Sequence, residues 1–143
     1  MTQFIHLRTH SEYSMVDGLL RVKELVSQVA QYGMPAVALT DESNLFALVK
    51  FYRACLAHGV QPIIGADCWV KGADGFGRLT FIAMNPEGYK NLLELLSLGW
   101  LKGQDGDYAL LEWEWVLKHA AGLICLTGAT EGEIGRLEAA GQT

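Results

Sequence analysis

Residues 4–18 read Phe-Ile-His-Leu-Arg-Thr-His-Ser-Glu-Tyr-Ser-Met-Val-Asp-Gly, and this stretch decides the fold. Its apolar start predicts a buried strand over residues 4–7. Side chains alternate between the two faces of a strand, so His6, Arg8 and His10 share the other side. Because α/β folds place their sites where the loops after parallel strands converge, the loop after this strand is the first candidate for a functional site.

The composition predicts one globular core without its own nucleic-acid surface. Half of the 143 residues are hydrophobic and 19% are charged, which is ordinary for a domain that can bury a core. The net charge is −5 and the 11 Lys and Arg residues are scattered, whereas phosphate binding needs clustered cations. DNA would therefore be contacted only through other parts of a larger protein.

The sequence also favours a cytoplasmic protein. No apolar run approaches the roughly 20 residues of a membrane span, and we expect the first residues to lead directly into a strand without a signal peptide. Cys55, Cys68 and Cys125 are odd in number and lack Cys-x-x-Cys spacing. We expect all three to be buried thiols in a reducing compartment rather than nucleophiles.

Apolar periodicity and turn residues predict alternating helices and strands along the rest of the chain. The first half should contain a helix with Val22, Leu25, Val26 and Val29 buried, a strand over residues 36–40, a helix capped by Ser43 or Asn44 with Leu45, Leu48, Val49, Tyr52 and Leu56 buried, and a strand over residues 62–70. The second half should begin with a turn over residues 71–78, a strand over residues 79–84, and a helix capped by Asn85 with Tyr89, Leu92, Leu93 and Leu96 buried. A loop over residues 103–107 and a short helix over residues 110–119, with one tryptophan partly exposed, should follow. The chain should end with a buried strand over residues 123–126 and a final helix opened by a capping box of Thr130 and Glu133. The pattern is an α/β fold with a β-hairpin and a mixed sheet.

Several stretches together resemble the polymerase and histidinol phosphatase (PHP) domain, in the form that opens bacterial replicative DNA polymerases. Metal-binding members begin with His-Leu-His-Thr-His-Ser, followed by Tyr-Ser and Asp-Gly. Residues 40–42 resemble the family's Thr-Asp-His, residues 62–67 its Pro-x-x-Gly-x-Glu, residues 85–92 its Asn-x-x-Gly-Tyr-x-Asn-Leu, and residues 126–129 a segment often ending in Ser-Gly-Cys. The resemblance covers essentially the whole chain and implies part of a distorted (β/α) PHP-type barrel.

The resemblance also implies a degenerate metal site. Its positions are His6, Arg8, His10, Asp17, Glu42 and Asp67. Arg8 and Glu42 stand where the family has histidine, and Asp67 stands where it has glutamate. Since a guanidinium group has no free lone pair, Arg8 cannot ligate a metal. We expect no bound metal and no catalytic residue in this chain.

We expect His6, Asp17, Glu42 and Asp67 to surround one crevice at the carboxyl ends of the strands. Without a metal, the carboxylates would repel one another, so a fixed cation among them is favoured. We therefore predict that Arg8 forms a salt bridge with Asp67 or Glu42.

The resemblance implies that residues 1–143 are the N-terminal portion of a single PHP domain that continues further. The chain would serve as a scaffold that stabilises the polymerase and docks the proofreading exonuclease subunit, alongside other polymerase domains and holoenzyme subunits. Nucleotidyl transfer, with magnesium, would belong to the parent DNA polymerase. A cut barrel would leave a strand without a neighbour, so we expect the isolated chain to self-associate or to be marginally stable.

Two alternatives stay open. The site could retain metal-dependent 3′→5′ exonuclease or phosphoesterase activity, or the chain could be a stand-alone hydrolase of the histidinol phosphatase type. His58 and His119 lie near predicted helix C-termini, where a partly positive ring suits the helix dipole, and we expect no catalytic role for them.

Overall fold

The structure, a computed structural model, describes residues 4–72 and 75–141. The chain forms two compact units, Met1–Ala66 and Asp67–Thr143. In chain order the elements are α1 Val22–Gln31, β1 Ala36–Leu39, α2 Leu48–His58, β2 Gln61–Gly72, β3 Gly75–Ala83, α3 Pro86–Lys102, β4 Gln104–Asp105, β5 Tyr108–Leu111, α4 Trp113–Lys118, β6 Leu123–Leu126, a 3-10 turn Ala129–Glu131, and α5 Glu133–Ala139.

The core of the first unit lies between helices α1 and α2 and strand β1. All four predicted positions of α1 are buried. All four residues of β1 are buried as well, and β1 pairs in parallel with the start of β2, Ala36 opposite Gln61. A strand covered on both faces needs a continuous apolar run, which is what residues 36–39 supply.

The predicted strand over residues 4–7 is wrong. No strand forms between residues 4 and 10, and Phe4 and Leu7 are exposed. The segment nevertheless lies along β1, because Ala38 N–H donates to the His6 carbonyl and Thr40 N–H to the Thr9 carbonyl, both at 2.9 Å. These two backbone bonds attach the segment, while the side chains of Phe4 and Leu7 lack cover within the described residues.

Helix α2 begins later than predicted and buries a different face. Its N-cap is Ala47 instead of Ser43 or Asn44. The buried stripe is Ala47, Phe51 and Cys55, at intervals of four residues, whereas Val49, Tyr52 and Leu56 are exposed. The helix carries apolar residues on two faces, so periodicity alone did not select the one that contacts the core.

The second unit is built on a mixed sheet. Its strand order is β4-β5-β2-β3-β6, with β2–β5 parallel and β3–β6 and β4–β5 antiparallel. Strands β2 and β3 are sequence neighbours and sheet neighbours, as the predicted hairpin requires. The fold-class prediction, α/β with a mixed sheet, is therefore confirmed.

The predicted turn over residues 71–78 is largely strand. Strand β2 runs through Gly72 and β3 starts at Gly75; residues 73–74, including Asp74 of the predicted turn, lie outside the described residues. Gly77 is not a turn residue but lets strand β3 pack closely against the start of α5, because a Cβ at this position would lie 2.9 Å from the Glu133 backbone nitrogen.

Two predictions between α3 and β6 are wrong. The expected loop over residues 103–107 contains β4, which turns at Gly106 with φ +59° into β5. Leu110 and Leu111 belong to β5, opposite Trp69 and Val70 of β2, so the following helix α4 is only six residues long. Trp113 is exposed and Trp115 partly buried, as expected for one exposed tryptophan.

Helix α3 agrees with its local signals. The Asn85 side chain accepts a hydrogen bond from Gly88 N–H at 2.8 Å, and Pro86 occupies the first turn. Leu92 and Leu96 are buried as predicted, but Leu95 is buried where Leu93 was expected, and Tyr89 is only partly buried.

The last elements also differ from prediction. Thr130 lies inside the 3-10 turn, and α5 is preceded by Gly132 without a side-chain cap, so the capping box is absent. Strand β6 forms where expected, but Ile124 and Cys125 are exposed. The prediction that β6 and Cys125 belong to the core is wrong.

Candidate functional site

The loop after the N-terminal segment is organised around a buried carboxylate, Asp41. Asp41 follows the end of β1 and is 2% exposed. It accepts three hydrogen bonds, from Ser11 N–H at 2.6 Å, Ser11 Oγ at 2.7 Å and Ser14 Oγ at 2.8 Å. A buried charge is costly unless hydrogen bonds compensate it, and these three donors do so.

The same serines carry the network into the backbone on both sides. Tyr13 N–H donates to Ser11 Oγ, and Glu42 N–H donates to Ser14 Oγ at 3.0 Å. Asn44 joins the two loops, since its amide nitrogen donates to the carbonyls of Tyr13 and Glu42. Residues 11–14 are thereby held against residues 41–44.

Gly18 closes this loop. A Cβ at position 18 would lie 1.7 Å from the Ser11 carbonyl oxygen, so only glycine fits. Glu12 N–H donates to the Leu20 carbonyl at 2.9 Å. The loop is therefore a pre-ordered turn, although Met15, Val16 and Leu19 on it are 89%, 92% and 94% exposed.

Four of the predicted site positions belong to the N-terminal segment and its loop. His10 Nδ1 lies 2.9 Å from Asp17 Oδ1, with the histidine side chain 10% exposed. His6 and Arg8 line a cleft of about 240 Å³ formed with α1. The His6 ring also meets the Phe4 ring edge to face, with centroids 4.8 Å apart.

Of the two remaining positions, Glu42 follows β1 and Asp67 lies in β2. Glu42 is partly buried and held through its backbone by Ser14. Asp67 is fully buried in the second unit and accepts a short hydrogen bond from Thr80 Oγ1. The convergence of His6, Asp17, Glu42 and Asp67, and the Arg8 salt bridge, stay predictions.

Sequence reasoning missed Asp41, Ser11, Ser14 and Thr80 as the residues that hold the site positions. Asp41 sits inside the Thr-Asp-Glu stretch, but a sequence pattern does not say which of two adjacent acids turns inward. The available signal is that only Thr40, which is fully buried, separates Asp41 from the four-residue apolar strand β1, so Asp41 lies nearer the buried layer than Glu42 does.

The donor set fits a multinuclear metal centre poorly. Arg8 offers no lone pair, and the His10–Asp17 hydrogen bond occupies Nδ1 of that histidine and one oxygen of that carboxylate. Among the residues that the structure describes, no three His, Cys, Asp or Glu side chains are grouped to hold a metal ion. No metal-dependent step is therefore derived for these residues.

The other histidines and the cysteines have structural surroundings. His58 Nδ1 contacts the Ala54 carbonyl, while His119 contacts the Trp115 carbonyl and lies 3.2 Å from a Glu94 carboxylate oxygen. Burial raises the pKa of the Cys55 thiol to about 11, and partial desolvation raises the pKa of the exposed Cys125 thiol. Raised thiol pKa values disfavour the nucleophilic thiolate.

Comparison with known proteins places these features in a family context. The sequence matches the PHP domain family over residues 6–142. It is 52% identical over 135 residues to DNA polymerase III subunit alpha of Pseudomonas aeruginosa, and 43% identical over 138 residues to that of Escherichia coli. These matches cover 92% and 94% of this chain but 12% of each relative, so the chain spans about an eighth of their length.

Solved structures show the same fold at low identity. An amidohydrolase from Chromobacterium violaceum aligns with TM-score 0.55 at 22% identity, covering 66% of this chain and 32% of that chain. A protein described as a metal-dependent phosphoesterase from Bifidobacterium adolescentis aligns with TM-score 0.51 at 18% identity and the same coverages. Within residues 4–72 and 75–141, no helix is both long and apolar enough to span a membrane.

Proposed function

Because this chain belongs to the PHP domain family, we propose that it is the N-terminal part of the PHP domain of a bacterial replicative DNA polymerase and acts there as a scaffold. The identity to DNA polymerase III subunit alpha over nearly the whole chain supports this proposal. Nucleotidyl transfer, magnesium and DNA contact belong to the parent polymerase, in the cytoplasm. The domain continues beyond the 143 residues.

The observation that carries the scaffold role is how the loop satisfies its polar groups. The three donors on Asp41, the Asn44 amide and the His10–Asp17 pair are all hydrogen-bonded within the chain. Two candidate ligand side chains are thus bound to each other, and Arg8 stands at a third ligand position. These hydrogen bonds make the loop rigid.

The six positions form a vestigial metal site in this proposal. Arg8 replaces the metal's charge with a permanent organic cation and pairs with Asp67 or Glu42. A planar guanidinium group can bind one carboxylate through two parallel hydrogen bonds while another donor reaches a second acid. This arrangement holds the site together without hydrolytic chemistry.

The proposed partners are the proofreading exonuclease subunit, the other polymerase domains and further holoenzyme subunits. Support comes from the turn carrying Met15, Val16 and Leu19, which is highly exposed and yet pre-ordered by Asp41 and Gly18. Exposed apolar side chains on a rigid turn suit a docking anchor, because little conformational entropy is lost on binding.

The test is a chimera in which this chain replaces the matching first eighth of P. aeruginosa DNA polymerase III subunit alpha. We expect the chimera to extend a primed template and to bind less than a stoichiometric amount of zinc or manganese. We also expect its PHP domain to have no 3′→5′ exonuclease activity. A matched variant, Arg8→His with Glu42→His, should bind more metal. Stoichiometric zinc or manganese in the unmodified chimera would overturn the scaffold proposal.

A further inference from the structure

Helix α2 carries a second apolar stripe that faces solvent. Its members are 49% to 73% exposed and are Phe46, Val49, Tyr52 and Leu56. Their spacing of three or four residues places them along one side of the helix. Helix α1 of the same unit differs, because its exposed positions are all polar: Lys23, Glu24, Gln28 and Gln31. Several apolar side chains exposed together indicate an interaction surface.

The opposite side of α2 is fixed in the core. Ala47, Phe51 and Cys55 are buried there. The helix end is held as well, since Val60 N–H donates to the Cys55 carbonyl at 3.0 Å. The stripe cannot turn inward without exposing Phe51. It is therefore available in a preformed helical geometry, which lowers the entropy lost when a partner binds.

The charge around the stripe is positive although the chain is acidic. Residues 43–61 contain no Asp or Glu, whereas the whole chain has 16 of them. The exposed Arg53 lies four residues after Val49 and three before Leu56, so its guanidinium group belongs to the stripe. Lys50 of the same helix is already paired with a glutamate outside it, at 2.8 Å. The surface thus combines apolar side chains with the Arg53 cation.

We propose that an amphipathic helix of a separate protein binds this α2 surface, defined as Phe46, Val49, Tyr52, Arg53 and Leu56. Its apolar side chains would cover the stripe and a carboxylate would pair with Arg53, which is how amphipathic helices are recognised on apolar surfaces. A second copy fits poorly, because a two-fold axis on α2 would bring like charges together without an acid in residues 43–61. The α2 surface is distinct from the turn that carries Met15, so the inference goes beyond the proposed function.

Hydroxyl-radical footprinting of the chimera, measured by mass spectrometry, tests whether the α2 surface is open in a full-length protein. Phe51 is the internal control, because it lies on the same helix and is fully buried. We expect Phe46 to be oxidised roughly ten times faster than Phe51, which reacts only when the helix opens. Equal rates would show that the parent protein covers the surface, and would overturn the inference.

Binding is tested with two fluorescein-labelled helical peptides of about 16 residues, long enough for four turns. Both carry leucines at helical spacing, and they differ only in a central Glu or Lys. Each peptide is titrated with the chimera and binding is followed by fluorescence anisotropy. We expect the Glu peptide to bind about ten times more tightly than the Lys peptide, because only its central charge complements Arg53.

Substitutions on the α2 surface separate the charge from the apolar contacts. Arg53→Glu should reverse the preference, so that the Lys peptide binds about ten times more tightly. Val49→Ser combined with Leu56→Ser should weaken both peptides by a factor of about ten. The control Leu117→Ser changes an equally exposed leucine on α4 and should alter neither affinity. Circular dichroism checks that each variant is folded.

Equal affinity for the two peptides, no binding of either, or a preference that Arg53→Glu leaves unchanged would also refute the inference. So would a dimer in sedimentation that Val49→Ser with Leu56→Ser dissociates, since the occupant would then be a second copy. Primer extension reports separately on the proposed function. A chimera that extends primers but binds neither peptide loses the α2 surface and keeps the polymerase assignment. A chimera that binds the Glu peptide through Arg53 without extending primers does the reverse.

Discussion

Replacing Asp41 by alanine is the sharpest test of the loop's architecture. The substitution removes the acceptor of three hydrogen bonds and leaves the Ser11 N–H buried without a partner, since Ser11 is fully buried. The two serine hydroxyls can rotate towards other acceptors, but a backbone N–H cannot. Hydrogen bonds to a charged group contribute roughly 1.5–3 kcal/mol each, and an orphaned buried donor costs roughly 1–3 kcal/mol.

Offsetting these losses, the alanine variant no longer desolvates a carboxylate. We therefore expect Asp41→Ala to lower the free energy of unfolding by about 3–5 kcal/mol rather than by the sum of its bonds. Asp41→Asn keeps an oxygen for Ser11 N–H and should cost about half as much, because only the charge-assisted part is lost. The control is Asp17→Ala. Because the Asp17 side chain is 44% exposed, this substitution should lower the free energy of unfolding by less than about 1 kcal/mol.

Urea denaturation followed by circular dichroism at 222 nm measures these differences, and hydrogen exchange of residues 11–20 localises them. Exchange in this loop should accelerate strongly in Asp41→Ala and only slightly in Asp17→Ala. If the free energy of unfolding of Asp41→Ala lies within 1 kcal/mol of that of the unmodified chain, this carboxylate does not hold the loop and the reasoning is refuted.

Three further substitutions follow from the same structure. Because Arg8 is exposed, pairing with the partly buried Glu42 predicts that Arg8→Ala lowers the free energy of unfolding by about 1 kcal/mol or less, whereas a loss of about 3–5 kcal/mol in urea denaturation would identify the buried Asp67 as its partner. Gly77→Ala should lower the free energy of unfolding by about 1–3 kcal/mol, because its Cβ would lie too close to the Glu133 backbone. The control Gly72→Ala would meet only the movable Glu133 carboxylate, so it should lower the free energy of unfolding by less. Equal melting temperatures of the two variants would contradict this. Burial raises the pKa of Cys55 from 9.0 to about 11, so the folded state retains a proton that the unfolded state loses, and stability should fall by about 2 kcal/mol as the pH rises from 9 to 11. Denaturation at pH 8, 9.5 and 11 should show this fall in the unmodified chain and a smaller one in Cys55→Val.

Elements with strong local signals were predictable from the sequence. Helix α1 follows from four apolar residues at helical spacing and from Gly33, which has φ +68° at the helix end. Helix α3 follows from the Asn85 cap and Pro86. In each case the interactions that start, stop or orient the element join residues within about four positions, so a window of sequence contains them.

Other features depended on partners far away in the chain. Leu110 and Leu111 are compatible with a helix or a strand, and pairing with β2 some 40 residues earlier made them a strand. Helix α2 had two apolar faces, and packing against α1 buried the one with Phe51.

The sequence by itself determined the family resemblance, the α/β class and the positions of the candidate site residues, because residue identity and short spacing encode them. Only the tertiary structure decided that Asp41, rather than Glu42, is buried as the acceptor for Ser11 and Ser14, which lie 30 and 27 residues away. It alone decided that β6 pairs with β3, in antiparallel orientation. Burial and strand pairing depend on which distant segments supply donors and cover, and a linear pattern does not carry that information.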